Sequence, residues 1–561
     1  MKLFNLVTNE LEKQFKKPSI KIIIVLILIT AIFLPIVVNK IPSKSNVFYN
    51  LENDKFQLEQ SKEYEDSLKN DKTTKGQIRL KYASIDREFM EVIVANEIPY
   101  EDWRRKEAEE LKFISYELAS IEFAINGIPQ DVVMENLIGT DPSKVDSYYK
   151  LSVDKRKEIQ SNLTAKKEQI KNIITTKDHL NHTQEEINRK KQLIEDNKKT
   201  IAAYNELKSK KVQTEEEKAR LSNLEIEAQD AEKLIVQYEE DIKILEFRLS
   251  NKIDYDKNNW KNNSIETVEK ELMELRTPLM TEKQYTSTAA QQGYTMTYDE
   301  YVKNYNETNN KRKNKIKEVW YGIENNIPDL KDVNDARSVL NRTYEIYIVL
   351  GVILVIIIGG GMVASEFSKG TIRLLLIRPV SRWKVLLSKL LSLLIIGFAV
   401  SVIGIVILSI STGFVYGMDT YKIPLLETYN NGIIEVNFFK YLIPKIALSS
   451  ISIIFIASLV FMISTLAKNT ALAVAISMVL YLGTPFITEL LVSMNQIWIV
   501  NTFIPYINSS YFRLMPMTEE ILASTHGMAM NFLSGGIQLL ILSILMLIIT
   551  FGIFIKKDVK N

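Results

Sequence analysis

Cysteine is absent from this chain of 561 residues, and histidine occurs three times. The first absence excludes disulfides, thiolate metal sites and cysteine nucleophiles. No Gly-Lys dipeptide occurs, so there is no phosphate-binding loop of the G-x-x-x-x-G-K-[ST] type. An excess of one charge is also missing. The net charge is +2, from 70 basic and 68 acidic residues. With no basic stripe carrying interleaved aromatics, nucleic acid is not an expected partner. No serine, histidine and acid arrangement stands out, so no enzymatic site is expected. What is present is segregation. Hydrophobic residues make up 46% of the chain, gathered into a few long runs with the charges between them, which is a membrane pattern. The abundance of Lys, Ile and Asn reads as bacterial.

A bilayer core needs about 20 apolar helical residues. Six runs qualify or nearly so: residues 20–38, 346–364, 385–412, 446–466, 470–492 and 535–555. Backbone inside lipid must satisfy its own hydrogen bonds, so each run is expected to be a helix. The fold class expected is therefore an all-α membrane protein of six spans. A long helical, coiled-coil domain at 40–343 separates spans 1 and 2. The first run has the basic flank of a signal peptide, but no small-residue cleavage site follows it at Val38-Asn39-Lys40-Ile41-Pro42, so an uncleaved anchor is expected.

Lysine and arginine set the orientation. One set of connections and tails holds Lys2, Lys13, Lys16, Lys17, Lys21, Lys369, Arg373, Arg378, Arg382, Lys384, Lys389, Lys468, Lys556, Lys557 and Lys560. The short loops of the other set hold Lys422, Lys440, Lys445 and Arg513. This places both termini in the cytoplasm and the large domain outside a bacterial cell membrane. Before the first span, Leu3, Leu6 or Val7, Leu11 and Phe15 recur at helical spacing between Glu10, Glu12, Lys13 and Lys16. Residues 1–18 are thus expected to form an amphipathic helix along the inner membrane surface.

Within the long insert, a coiled-coil hairpin is expected over about 152–250. Leu180, Ile187, Ile194 and Ile201 recur every seven residues, with polar Thr183, Lys190 and Asn197 at companion positions. The second helix has a cleaner seam: Leu221, Leu224, Ala228, Ala231, Ile235, Tyr238, Ile242, Leu245 and Leu249 alternate three and four apart. Its turn falls near 209–213, and Thr214 and Glu217 have capping-box spacing. Other helices are expected around 57–94 and 102–126, while 255–335 shows little periodicity. His179 and His182 lie three apart, a spacing open to metal ligation. No acid or cysteine completes a cluster by spacing, so no metal site is expected and both are read as exposed polar residues of the coiled coil.

The connection between spans 2 and 3 is basic and amphipathic. Gly359, Gly360 and Gly361 permit close packing or a bend. Glu366 follows at the end of the span, then Gly370 and Thr371. Apolar Ile372, Leu375 and Leu376 are interleaved with Arg373 and Arg378. Pro379, Ser381 and Arg382 come next, and Lys389 stands at the start of the next span. This order resembles the permease subunits of the ABC-type-2 family, also called type V ABC exporters.

The resemblance implies six spans per subunit, an N-terminal interfacial helix, and a coupling helix (366–384) seated in a separate ATPase. Glu366, Gly370, Thr371, Ile372, Arg373, Leu375, Pro379, Arg382 and Lys389 would carry that coupling. It also implies short helices dipping into the outer leaflet within 493–534. Expected partners are two copies of an ABC ATPase subunit, a second permease subunit (identical or not) and membrane lipid. This chain would bind no cofactor, and ATP and Mg would sit on the partner. The spans show few interior charges, so no proton relay or ion site is expected. The expected function is export or removal of an amphipathic or lipid-like cargo such as an antimicrobial peptide. The alternative is a scaffold, secretion component or mechanotransmission protein whose coiled coil acts at the cell wall.

Overall fold

The computed structural model describes residues 2–40, 51–210, 214–292, 296–371, 381–430, 432–515, 517–526 and 528–556. The chain divides into a membrane unit (1–42 and 266–561) and an insert unit (43–265).

In the membrane unit, α1 (Lys2–Phe15) precedes α2 (Pro18–Lys40), which is span 1. The remaining helices long and apolar enough to cross a membrane are span 2 (Ala336–Ser368), span 3 (Arg382–Tyr416), span 4 (Phe438–Ala467), span 5 (Thr470–Ser493) and span 6 (Phe532–Lys556). The protein is thus an all-α membrane protein with six spans. Most spans begin or end several residues beyond the apolar runs. Hydropathy stops at the first polar residues, whereas backbone hydrogen bonding carries the helix past them.

Packing within the spans follows small residues and internal hydroxyls. Span 1 buries one stripe, Ile20, Ile27, Ala31 and Pro35. Pro35 cannot donate a backbone hydrogen bond, and such breaks are relieved by neighbouring helices. Here Ser411 and Tyr416 of span 3 donate to the carbonyls of Ile32 and Pro35. A Cβ on Gly360 would lie 2.3 Å from Val474 Cγ2 of span 5, and one on Gly359 would lie 2.6 Å from Val460 Cγ1 of span 4. Bare backbone at these two positions lets three helices meet. Span 2 is interrupted at Val363, and Ser464 spans the break. Its Oγ donates to Gly360 O at 2.8 Å and accepts from the Ala364 amide at 3.1 Å.

Between spans 3 and 4 lies an antiparallel hairpin, β1 (Leu425–Tyr429) with β2 (Gly432–Val436), which hydropathy did not signal. Fully buried Arg337, just inside span 2, donates to the carbonyls of Ile423 and Pro424. Between spans 5 and 6, short helical turns at Ile497–Asn501 and Pro505–Asn508 lead to helices Ser509–Leu514 and Met517–His526. Tyr506, Ile507 and Phe512 bury their side chains among the spans.

The insert unit contains α3 (Leu51–Leu68), α4 (Thr74–Ala95), α5 (Trp103–Ile125), α6 (Gln130–Glu135), α7 (Pro142–Lys150), α8 (Val153–Thr176), α9 (His179–Ser209) and α10 (Glu215–Ser250). The quasi-aperiodic stretch after α10 is also largely helical: α11 (Trp260–Leu275), α12 (Glu282–Gln292) and α13 (Tyr298–Asn325).

Helices α9 and α10 form the hairpin. Ile187 and Ile194 pack with Ile242, Leu245, Ile235, Tyr238 and Leu249. Ala228 and Ala231 are buried, and Leu221 and Leu224 half-buried. Residues 211–213 of the expected turn lie outside the described residues, but the capping box of Thr214 and Glu217 is formed. The polar companion positions are partnered rather than loose: Lys190 pairs with Asp241 at 2.8 Å, and Thr183 meets Tyr255 at 3.0 Å. The ascending helix is broken at Lys177, which adopts a left-handed conformation before Asp178 caps α9. One expectation is corrected here. His182 is buried, because α5 lays Trp103 against its ring at a centroid distance of 4.4 Å.

Candidate functional site

Glu366 and Lys389 stand 23 residues apart, across the loop that joins spans 2 and 3, and the fold brings them together. Lys389 Nζ lies 2.7 Å from Glu366 Oε1, and both side chains are almost wholly buried. The same ammonium reaches Glu10 Oε1 of α1 at 2.9 Å. Lys13, one turn further along α1, also pairs with Glu366. Two carboxylates and two ammonium groups therefore make a neutral cluster joining α1, the end of span 2 and the start of span 3. Such a cluster suits a low-dielectric site, where a lone charge is costly. Ser392 of span 3 adds a hydrogen bond to the Val7 carbonyl at 3.2 Å.

The cluster reorients α1 relative to the sequence expectation. Val7 and Gln14 are buried and Glu10 and Leu11 partly so, while Phe4 and Phe15 are exposed. The inward face holds Val7, Glu10, Leu11 and Gln14, at spacings of three and four. Its polar members had been assigned to water, because an amphipathic pattern cannot reveal a carboxylate that meets a buried lysine. Burial pulls the Lys13 ammonium down, but the hydrogen bond to Glu366 and the charges of Glu10 and Glu366 outweigh it and hold it above the usual lysine value. Burial, then the charge of Lys13, pushes neighbouring Lys17 below that value.

The other residues expected at the coupling segment divide into two groups. Gly370 has φ +69° with open space around it, and Thr371 Oγ1 donates to the Glu366 carbonyl. Arg382 begins span 3 and donates to the Ile555 carbonyl at the end of span 6. Ile372, Arg373, Leu375 and Pro379 lie outside the described residues.

A second buried carboxylate is among the few interior charges of the spans, and the sequence did not single it out. Glu345 lies within span 2, one residue before the apolar run used to place that span, and is fully buried. Oε1 accepts from Ser449 at 2.7 Å and from Arg513 at 3.2 Å, and Oε2 accepts from Ser510 at 2.6 Å. Arg513, counted from the sequence as a loop cation, also donates to Tyr344 and to the Lys445 carbonyl. An acid just outside a hydrophobic run, with an arginine in a later proline-rich segment, was the only signal available. Tyr481 of span 5 is also fully buried, and Asn508 donates to its carbonyl at 3.2 Å. Carboxylates buried inside a membrane bundle mark sites that organise function or assembly.

A family model described as a protein of unknown function (DUF2705) matches residues 318–560, which include spans 2–6 and both charge clusters apart from α1. The uncharacterized protein YhcI of Bacillus subtilis (strain 168) is 32% identical over 246 residues, covering 43% of this chain and 74% of YhcI. The uncharacterized membrane protein YdbK of the same organism is 27% identical over 207 residues, covering 37% of this chain and 77% of YdbK. No solved structure matches. The chain is a membrane protein that belongs to the same family as YhcI.

Proposed function

We propose that this chain is the membrane subunit of an ATP-binding cassette transporter of the type-2 permease kind. The observation that carries this reading is the buried Glu366–Lys389 pair with its α1 partners Glu10 and Lys13. It fastens the first helix and both ends of the 366–384 loop into one block. A separate ATPase that gripped the loop would thus move spans 2 and 3 and α1 together, a rigid-body shift between two packings. The basic connections support a cytoplasmic position for this block and both termini, with the insert outside the cell membrane. Hydrolysis belongs to the partner, since the chain has no phosphate-binding loop.

The cargo proposed is amphipathic or lipid-like. In support, an apolar groove of about 350 Å³ lies between spans 2, 3 and 4, lined by Leu340, Val402, Val406, Ser409, Phe439 and Ile443 among others. Copurification tests the assignment: the tagged chain, purified from cells that make it naturally, is expected to bring down an ABC ATPase subunit. Arg373→Glu with Leu375→Asp is expected to abolish the association while membrane insertion persists. Unchanged association in the double variant removes the coupling assignment. If no ATPase binds at all, the scaffold reading takes its place.

A further inference from the structure

Histidine is rare in this chain, yet two of the three lie one turn apart on α9. Glu186 follows His182 by one turn of the same helix, and the fold adds a second acid from another helix. Glu107 comes from α5, and Glu186 from the next turn of α9. Donor atoms of Glu107, His182 and Glu186 all lie within 4.8 Å of one another, and all three residues are buried. We propose that Glu107, His182 and Glu186 form a binding site for a divalent transition-metal ion of the zinc type that clamps α5 to α9.

Four observations support this. His182 Nδ1 lies 2.6 Å from Glu107 Oε1, so an imidazole nitrogen and a carboxylate oxygen already converge. His179 occupies the same face of α9, and its Nε2 is buried without a hydrogen-bond partner. Glu107 is 1% exposed, and the nearest arginine to it, Arg189, stands 3.8 Å away. That guanidinium is engaged more closely by Glu110 at 2.6 Å, and it also pairs with the donor Glu186 at 3.0 Å, a contact that a metal ion would replace. Finally, the side chain of Trp103 stacks on the His182 ring and that of Tyr255 meets it edge-on. These rings hold the imidazole in place, as outer-shell contacts do around metal ligands.

Two cations compete for Glu186, Arg189 and Lys106. Lys106 spans both oxygens of Glu186 at 2.9 and 3.0 Å, but its side chain is 59% exposed and free to swing into water. Lys166 neutralises Glu110, not the donors. Imidazole nitrogen with carboxylate oxygen is a ligand set zinc accepts, at roughly 2.0–2.2 Å per donor. The site lies where α9 begins, just after the left-handed break at Lys177. A bound ion would therefore fix the root of the coiled coil against α5. None of this depends on the transport proposal.

The test uses the full chain in detergent, stripped with a chelator, loaded with zinc chloride and desalted. Mass spectrometry is expected to find one zinc per chain. Glu107→Gln with His182→Asn is expected to weaken zinc binding at least about 100-fold, beyond the effect of losing an outer-shell contact. Absence of zinc on the natural chain overturns the proposal. Equal zinc on the variant does the same, since it locates the ion elsewhere. Should the variant lose its helical circular dichroism, cobalt is added to the natural chain instead. Visible absorption of a low-coordinate cobalt site, removed by zinc, supports the assignment, and an unchanged aqueous cobalt spectrum overturns it.

Discussion

Span 2 carries a buried carboxylate near each end, and the two are solved differently. Glu345 is held by two serine hydroxyls and one arginine, and both its oxygens accept hydrogen bonds. Glu366 is held by two lysines, one of them shared with Glu10. Glu366 and Glu10 each leave one buried oxygen without a hydrogen-bond partner. The first arrangement is saturated and ties the segment between spans 5 and 6 into the bundle. The second is held mainly by charge, between elements far apart in sequence, with capacity left over to accept a new donor. A fully satisfied buried network rigidifies its surroundings, whereas an unpartnered buried oxygen is costly in a low dielectric.

The largest test of that contrast is Lys389→Met. It leaves Glu10 without its ion-pair partner and Glu366 with Lys13 alone, and should cost about 3–5 kcal/mol, read as a fall in thermal midpoint in detergent. Adding Glu366→Gln to that variant should recover part of the loss, because the two residues are coupled. Recovery no better than additive would show that the cluster does not act as a unit. Glu345→Gln keeps the shape but removes the charge facing Arg513, and about 1–3 kcal/mol is expected. A smaller loss there than for Glu366→Gln, which leaves Lys389 its Glu10 partner, would reverse the comparison.

Gly360→Ala probes the packing around both clusters. Its methyl would press on Val474, and a cost of about 1–3 kcal/mol is expected from the same midpoint. The smallest effect belongs to Lys13, whose side chain is half-exposed. Lys13→Ala should cost less than about 1 kcal/mol after solvent screening, and less still in high salt. Its folded-state value lies above the ordinary 10.5. The contribution is therefore fully present below that pH and is lost as pH rises through the folded value. A loss that grew on acidification between neutral pH and pH 8 would contradict this assignment.

Much of this architecture was legible in the sequence. Twenty apolar residues in a row have few alternatives to a membrane helix, so the six spans could be read directly. The seam of α10 was equally plain, because heptad spacing is a local property. The region 255–335 was not, because its helices are short and polar and owe their form to capping and tertiary contacts such as the Thr297–Glu300 box. Glu345 was missed because hydropathy averages over a window and treats a charge at its edge as the edge itself. Glu10 and His182 were misplaced because each looked polar on an exposed face until another helix covered it.

The sequence alone determined the number of spans, the presence of the coiled coil, and the lack of any phosphate-binding loop, since each follows from composition or from spacing along one strand of chain. Only the tertiary structure decided which charges are buried together. The partners of Lys389 are Glu366, nearby in the chain, and Glu10, at its far beginning; Glu107 and Trp103, which cover His182, lie on α5. Burial and pairing are properties of the space between helices, and no periodicity within a single helix encodes what its neighbour will bring.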